Sequence, residues 1–232
     1  MAVFDLHVHT VRGSSDSSLT PEQLVEAAQK TGLDGVCLTE HSGGWDAAEL
    51  QRAFRAADIA VIGGLEVATD MGHVLVIGLH SYVADGLLDA RELSAVVRRA
   101  GGVLIAAHPF RNVFNGPPYG TGPVFKDPDD PPPTVAGAAG HPLFTMVDAI
   151  EVANGANTDQ ENRFCLEVAR HLGMAGTGGS DAHSIQGLGR YVTVFDGEVR
   201  SESALIEAIR SGAFHAAAGV APFATLALGP QG

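Results

Sequence analysis

The chain has 232 residues, 45% of them hydrophobic, which is enough for a packed core and argues against disorder. A net charge of −13 argues against an electrostatic grip on long nucleic acid, which needs a basic face, and leaves open a short oligonucleotide held by its end. No apolar run approaches the ~18 residues of a membrane span. The opening Met1-Ala2-Val3-Phe4-Asp5 lacks the basic and apolar regions of a signal peptide, so a cytoplasmic location is expected.

Strands and helices alternate along the chain. Val3 to His7 reads as a short strand. Thr20-Pro21-Glu22-Gln23 is a helix start, with Thr20 as N-cap, Pro21 at the first position and Gln23 in capping-box place. That helix should run to about Lys30 and stop near Gly32. Gly35 to Thr39 is a strand, Asp46 to Ala57 a helix, and Ile59 to Leu65 and Val74 to Leu79 two further strands. Ala90 to Ala100 is a helix stopped by Gly101-Gly102, followed by a strand from Val103 to Ala107. Residues 115–141 are rich in proline and glycine, too long for an ordinary connection, and expected to be an insertion over the site. It reads as a lid or specificity loop, or as an insertion without a role. Ala149 to Val152, Met174 to Thr177 and Tyr191 to Phe195 are strands, with helices from Thr158 to Leu172 and from Ser201 to Arg210. Phe214 onward can add a last strand. The strands are short, apolar and not strictly alternating, as in a parallel sheet covered on both faces. One α/β domain over residues 1–232 is expected, folded as a barrel of about seven strands.

Polar residues recur where these strands end: His7, His9, Glu40, His41, Glu66, His73, His108, Asp181 and His183. An H-x-H pair at a strand end aims two imidazoles the same way. Imidazole with carboxylate suits zinc, manganese or iron. A barrel gathers all its carboxyl-terminal strand ends around one mouth, so residues scattered along the chain can meet there. Cys37 and Cys165 have no ligand spacing and read as buried thiols.

Asp5-Leu6-His7-Val8-His9-Thr10, Leu38-Thr39-Glu40-His41, Gly64-Leu65-Glu66-Val67, Ala107-His108-Pro109 and Gly179-Ser180-Asp181-Ala182-His183 resemble, in order, the motifs of the PHP (polymerase and histidinol phosphatase) superfamily. The resemblance spans about residues 3 to 215. It implies a distorted (βα)7, TIM-like barrel with two or three divalent ions (Zn, Mn or Fe) at the carboxyl ends of the strands. The implied activity is a stand-alone phosphoesterase, working on a small phosphomonoester, a nucleotide or a short oligonucleotide through a metal-bound hydroxide. His7, His9, Glu66 and Asp181 match ligands of one ion. Glu66 bridges to a second, which His108 should also hold, and His41 and His183 match ligands of a third. Two ions about 3.5–4 Å apart can clamp a phosphoryl oxygen between them.

Several assignments stay open. Asp16 stands one residue later than the family's further ligand and is either that ligand or a loop aspartate. One of His73 and His80 should complete the second ion's site, with His73 preferred, and either can serve as the general acid. Arg111 is a phosphate grip or a surface arginine, with Arg12 and Asn154 as further candidates for the substrate. Glu40 reads as supporting a ligand rather than being one. Asp5 orients a ligand imidazole or forms a buried salt bridge. Trp45 reads as packing, and His141, His171 and His215 carry no spacing signal. A non-catalytic metal-binding module and an amidohydrolase-type C–N hydrolase are the alternatives. Against the second, the only lysines are Lys30 and Lys126, neither of them after a late strand.

Overall fold

The structure is a computed structural model that describes residues 1–79, 88–115, 124–125, 133–219 and 224–225. In chain order its elements are β1 (Ala2–Val8), α1 (Pro21–Thr31), β2 (Gly35–Glu40), α2 (Ala47–Phe54), β3 (Ala60–Thr69), β4 (Gly72–Ile77), α3 (Ala90–Ala100), β5 (Val103–Ala106), α4 (Val135–Ala139), a 3-10 turn (Pro142–Thr145), β6 (Ala149–Asn154), α5 (Asp159–Leu172), β7 (Gly176–Gly179), β8 (Tyr191–Phe195), α6 (Glu202–Ser211), β9 (Phe214–Ala218) and β10 (Ala224–Thr225). The capping box foreseen at Thr20 and Gln23 is present, and α1 ends on Gly32 at a φ of 82°. Thr158 and Glu161 build a second box at the start of α5. No described helix is long and apolar enough to cross a membrane.

The strands form one sheet in the order β10-β9-β8-β1-β2-β3-β4-β5-β6-β7. β1, β2 and β3 pair in parallel, as do β5, β6 and β7, while β4 runs antiparallel to both of its neighbours. A strict strand–helix alternation would have made β4 parallel too. The two-residue link Asp70-Met71 allows only a hairpin, since a parallel pair needs a crossover of a dozen residues or more. The hairpin also carries β3 past Leu65 to Thr69, so Glu66 lies within a strand rather than at its end.

The sheet curls until β7 returns to β1, a nearly closed and distorted TIM-like barrel. Closure uses few ladder bonds: an isolated parallel bridge joins Val8 to Ala182, and the Asp181 and His9 N–H groups donate to the His7 and Ala182 carbonyls at 2.8 and 3.0 Å. Asp5 completes the seam. Its Oδ1 accepts from the Ser180 N–H at 2.9 Å and the His7 N–H at 3.3 Å, and its Oδ2 from the Gly189 N–H at 2.9 Å. Asp5 therefore neither orients an imidazole nor forms a salt bridge; it ties three backbone segments together. Burial pushes its pKa up to about 6 despite these bonds.

Apolar packing surrounds the curled sheet. Val3, Val36 and Leu38 pack with Leu24 and Ala28 of α1, while Phe4, Leu6, Cys37, Leu75, Ile105 and Phe195 form a second cluster. A third gathers around Phe110 and takes in Val124, Ala138, Leu143 and Phe144. The described parts of the 115–141 segment are thus anchored in the core beside α5; the rest of the segment lies outside the described residues. Cys37 and Cys165 are free and buried, and burial pushes both thiol pKa values up.

β7 contains Gly176, Gly178 and Gly179, where a Cβ would collide with the Val152 side chain, the Val192 backbone, and the His7 and Glu151 side chains, respectively. A Cβ on Gly178 would sit 2.4 Å from the Val192 carbonyl oxygen, whereas one on the exposed Gly197 would meet nothing within 4 Å. Gly178→Ala should therefore lower the unfolding free energy by about 1–3 kcal/mol, and Gly197→Ala should leave it nearly unchanged. Urea denaturation of the two variants measures the difference.

Candidate metal centre

Two register shifts aim the site. Asp5 pairs with Val36 but Val8 with Leu38, so three steps along β1 match two along β2. In β6, Glu151 pairs with Thr177 but Ala153 with Gly178, two steps against one. Such bulges re-aim side chains that simple alternation would send elsewhere. They fall on the strands that carry His7 and Glu151.

Glu66 is the hub. Its carboxylate is 3% exposed, and its two oxygens face different partners. Oε1 lies 2.8 Å from His73 Nδ1 and 2.8 Å from His108 Nε2. Oε2 lies 3.3 Å from His7 Nε2, 3.4 Å from His9 Nε2 and 3.3 Å from His41 Nδ1. Asp181 joins from the loop after β7, its Oδ1 at 3.5 Å from His7 Nε2 and 3.3 Å from His9 Nε2. At the rim Asp16, 59% exposed, places Oδ2 3.4 Å from His41 Nε2 and 3.3 Å from His183 Nε2. Three donor groups result: His7, His9, Glu66 and Asp181; Glu66, His73 and His108; and His9, His41 and His183, with Asp16 beside them. Every candidate ligand among the described residues is in this cluster; His80 lies outside them.

Hydrogen-bond logic fixes three of the rings. His7 Nδ1 lies 2.9 Å from Glu151 Oε1, so that nitrogen carries the proton and Nε2 turns a lone pair to Glu66 and Asp181. Ser14 Oγ donates to Glu40 Oε2 at 2.8 Å, so it must accept from His9 Nδ1–H at 3.0 Å. His183 Nδ1–H donates to the Asp181 carbonyl at 2.9 Å. In each ring, when neutral, Nε2 is left with a lone pair turned toward carboxylate oxygens, and among the described residues His9 Nε2 is buried without a hydrogen-bond partner. Lone pairs converging on carboxylates repel unless a cation sits among them, so the donor set fits divalent metal ions.

The electrostatics show an excess of negative charge around His7, which either a proton or a cation on Nε2 would answer. Burial lowers the His7 pKa, but Glu151, Asp181 and Glu66 outweigh it and hold it well above the ordinary value. Burial pushes His9 down to about 4. Burial would raise Glu66 and Asp181, yet the surrounding His7 and His108, with Arg111 at Asp181, hold both well below the usual carboxylate range. Local backbone strain appears here as well: His108 and Asp181 take φ values of 29° and 55°.

The surrounding shell separates the remaining candidates. Glu40 accepts from the Thr10 N–H and hydroxyl, from Ser14 Oγ and from Trp45 Nε1, so it braces His9 from behind and Trp45 braces Glu40. Arg111 bonds Asp181 Oδ2 and Asn154 Oδ1 through Nη2, the latter at 2.8 Å, and Asn157 Oδ1 through Nε at 3.1 Å. It is therefore part of the cluster rather than a surface arginine. Arg12 instead pairs with Glu49 at the surface. His141 accepts from the Leu143 N–H and starts the 3-10 turn. The sequence reading assigned no role to Glu151, though it opens the strand-end motif Glu151-Val152-Ala153-Asn154-Gly155, nor to Ser14, Asn157 and Glu161. The first had a signal, a carboxylate inside the apolar run Ala149–Asn154. Glu161, besides capping α5, accepts the Asn112 N–H and so holds the Arg111 loop, a double use that a capping motif does not announce.

Residues 5–115 match the PHP domain and residues 159–214 match a PHP-associated segment. Uncharacterized protein MJ1587 of Methanocaldococcus jannaschii is 28% identical over 118 residues, 46% of this chain and 67% of that protein. An error-prone DNA polymerase of Mycobacterium bovis is 34% identical over 68 residues, 29% of this chain and 6% of the polymerase. Among solved structures, a two-domain protein of Bacteroides vulgatus containing a predicted PHP-like metal-dependent phosphoesterase superposes with a TM-score of 0.64 at 22% identity. That match covers 94% of this chain and 65% of the other. An amidohydrolase of Chromobacterium violaceum with bound sulfate and no metal superposes with a TM-score of 0.59 at 17% identity, covering 89% and 96%. At these identities the structural matches speak for the fold.

Since both oxygens of Glu66 are needed to join two donor groups, Glu66→Gln is expected to retain at most one tightly held divalent ion per chain. The unsubstituted protein should retain two or more. Elemental analysis after gel filtration decides between these outcomes.

Proposed function

The chain belongs to the PHP family, and on that premise we propose that it is a metal-dependent hydrolase of phosphoesters. The observation that carries the reading is the two-sided use of Glu66, with one oxygen turned to His73 and His108 and the other to His7, His9 and His41. In this reading His7, His9, Asp181 and Glu66 hold one ion, Glu66, His73 and His108 a second, and Asp16, His41 and His183 a third. When bound, such ions supply Lewis-acid polarisation of a phosphoryl oxygen and lower the pKa of water. No side chain is then needed as a nucleophile.

The chain's own groups do the rest. Arg111 has Nε and Nη2 committed to Asn157, Asn154 and Asp181, which holds the guanidinium still. Among the described residues its Nη1 has no partner and is the donor available to a substrate phosphate. Asp181 both holds an ion and anchors Arg111, so it links ion to substrate. His73, 40% exposed at the rim, serves either as the second ion's ligand or as the acid for the leaving oxygen, not as both at once. The net charge of −13 disfavours long nucleic acid and leaves a small phosphomonoester, a nucleotide or a short oligonucleotide as the candidates, and zinc, manganese and iron all suit mixed imidazole and carboxylate donors. Among the described residues a C–N hydrolase reading finds no lysine at the site: Lys30 is exposed and paired with Glu26, and Lys126 lies outside them.

Hydrolysis of para-nitrophenyl phosphate with added Mn²⁺ or Zn²⁺ should be measurable, lost on chelation, and reduced to background in His9→Ala. Turnover that survives chelation would sink the reading. Arg111→Ala should lower kcat/KM about 100-fold while leaving metal content unchanged, because it removes a charge-stabilising donor rather than a ligand. A screen of sugar phosphates, nucleotides, histidinol phosphate and short oligonucleotides then sorts the substrate class.

A further inference from the structure

We infer that Glu151 is the positioning residue that couples the His7 side of the cluster to the His108 side, and that both of its oxygens must be acceptors for the centre to hold its ions. The inference rests on the metal-dependent reading of the site.

Glu151 is buried on β6, at the point where the ladder to β7 changes register. Its Oε1 takes His7 Nδ1–H at 2.9 Å. Its Oε2 takes the His108 backbone N–H at 2.8 Å and Asn154 Nδ2 at 3.0 Å. The first bond decides which nitrogen of His7 faces Glu66 and Asp181. The second holds His108 in a backbone conformation, φ 29°, that a non-glycine residue rarely adopts. Through Asn154 the same carboxylate reaches Arg111, and through Arg111 it reaches Asp181. The fold makes room for it: a Cβ on Gly179 would lie 2.6 Å from Glu151 Oε1 and 2.5 Å from His7 Cβ. Glu151 itself is absent from all three donor groups, so its part is to orient rather than to ligate.

A glutamine of the same shape cannot replace it. If the amide oxygen serves His108 and Asn154, the NH₂ faces His7 Nδ1. The ring must then accept there and carry its proton on Nε2, pointing a hydrogen into the cluster. If the amide oxygen serves His7, the NH₂ opposes two donors, and the His108 turn and the Arg111 anchor lose their hold. Either way one side of the centre fails.

The test titrates chelator-stripped protein, unsubstituted and Glu151→Gln, with Zn²⁺ by isothermal titration calorimetry, alongside the visible spectrum of the Co²⁺-loaded forms. Glu151→Gln should bind ions about 10–100-fold more weakly and show an altered Co²⁺ spectrum at an unchanged far-ultraviolet circular dichroism. Equal affinity and an identical spectrum would overturn the inference while leaving the phosphoesterase reading standing. Failure of the unsubstituted protein to bind any ion would end that reading itself. Should Glu151→Gln not fold, nitrogen NMR of the zinc-loaded unsubstituted protein still decides. A proton on His7 Nδ1 with Nε2 ligated supports the inference, and the reverse assignment refutes it.

Discussion

One buried carboxylate sets the terms for the rest of this molecule. Glu66 lies under a ring of imidazoles contributed by β1, β4 and the segments after β2 and β5. An isolated ionised carboxylate at that depth would cost several kcal/mol. The donor set around it fits cations that would balance the charge, and its two oxygens divide the neighbours into two sets. The hairpin between β3 and β4 follows from the same need. It puts His73 across the ladder from Ala68, two positions beyond Glu66, so the ring reaches the carboxylate from the adjacent strand. The reversal of β4 thus serves the centre.

Closure of the barrel and assembly of the centre are one event. The bonds that bring β7 back to β1 run between His7, His9, Asp181 and Ala182, so the seam passes through the ligands' own backbone. Asp5 binds the seam from below through three N–H groups. The glycines of β7 permit the approach. Loosening this seam would therefore move Asp181 away from His7 and His9, and stability and site geometry are coupled there.

Around the ligands lies a second layer of fixed acceptors: Glu151 behind His7, Ser14 and Glu40 behind His9, and the Asp181 carbonyl behind His183. Each takes the Nδ1 proton and leaves Nε2 directed inward. Precise orientation of this kind needs rigid support, which Trp45 gives to Glu40 and the α5 cap gives to the Arg111 loop. The strained turns at His108 and Asp181 persist because these contacts hold them.

Local chemistry made much of this legible in the residues alone. The cap at Thr20, stops at Gly32 and Gly101, and short apolar runs located most helices and strands, because such signals act over a few positions. H-x-H, Glu66, His108 and D-x-H marked the candidate ligands, since imidazole and carboxylate at strand ends have few other uses. What the sequence could not determine is how strands line up. Asp5 was expected to act toward an imidazole because alternation put it on the same face as His7, and the bulge before Val8 removed that inference. Arg111 looked as much like a surface residue as a site residue until β6 and the turn after β7 brought Asn154 and Asp181 to it. Glu151 was visible as a carboxylate in an apolar strand, but its partner stands 144 positions away. Residue type and short-range spacing are carried by the chain itself; register, bulges and the pairing of distant acceptors arise only when the sheet curls and its edges meet.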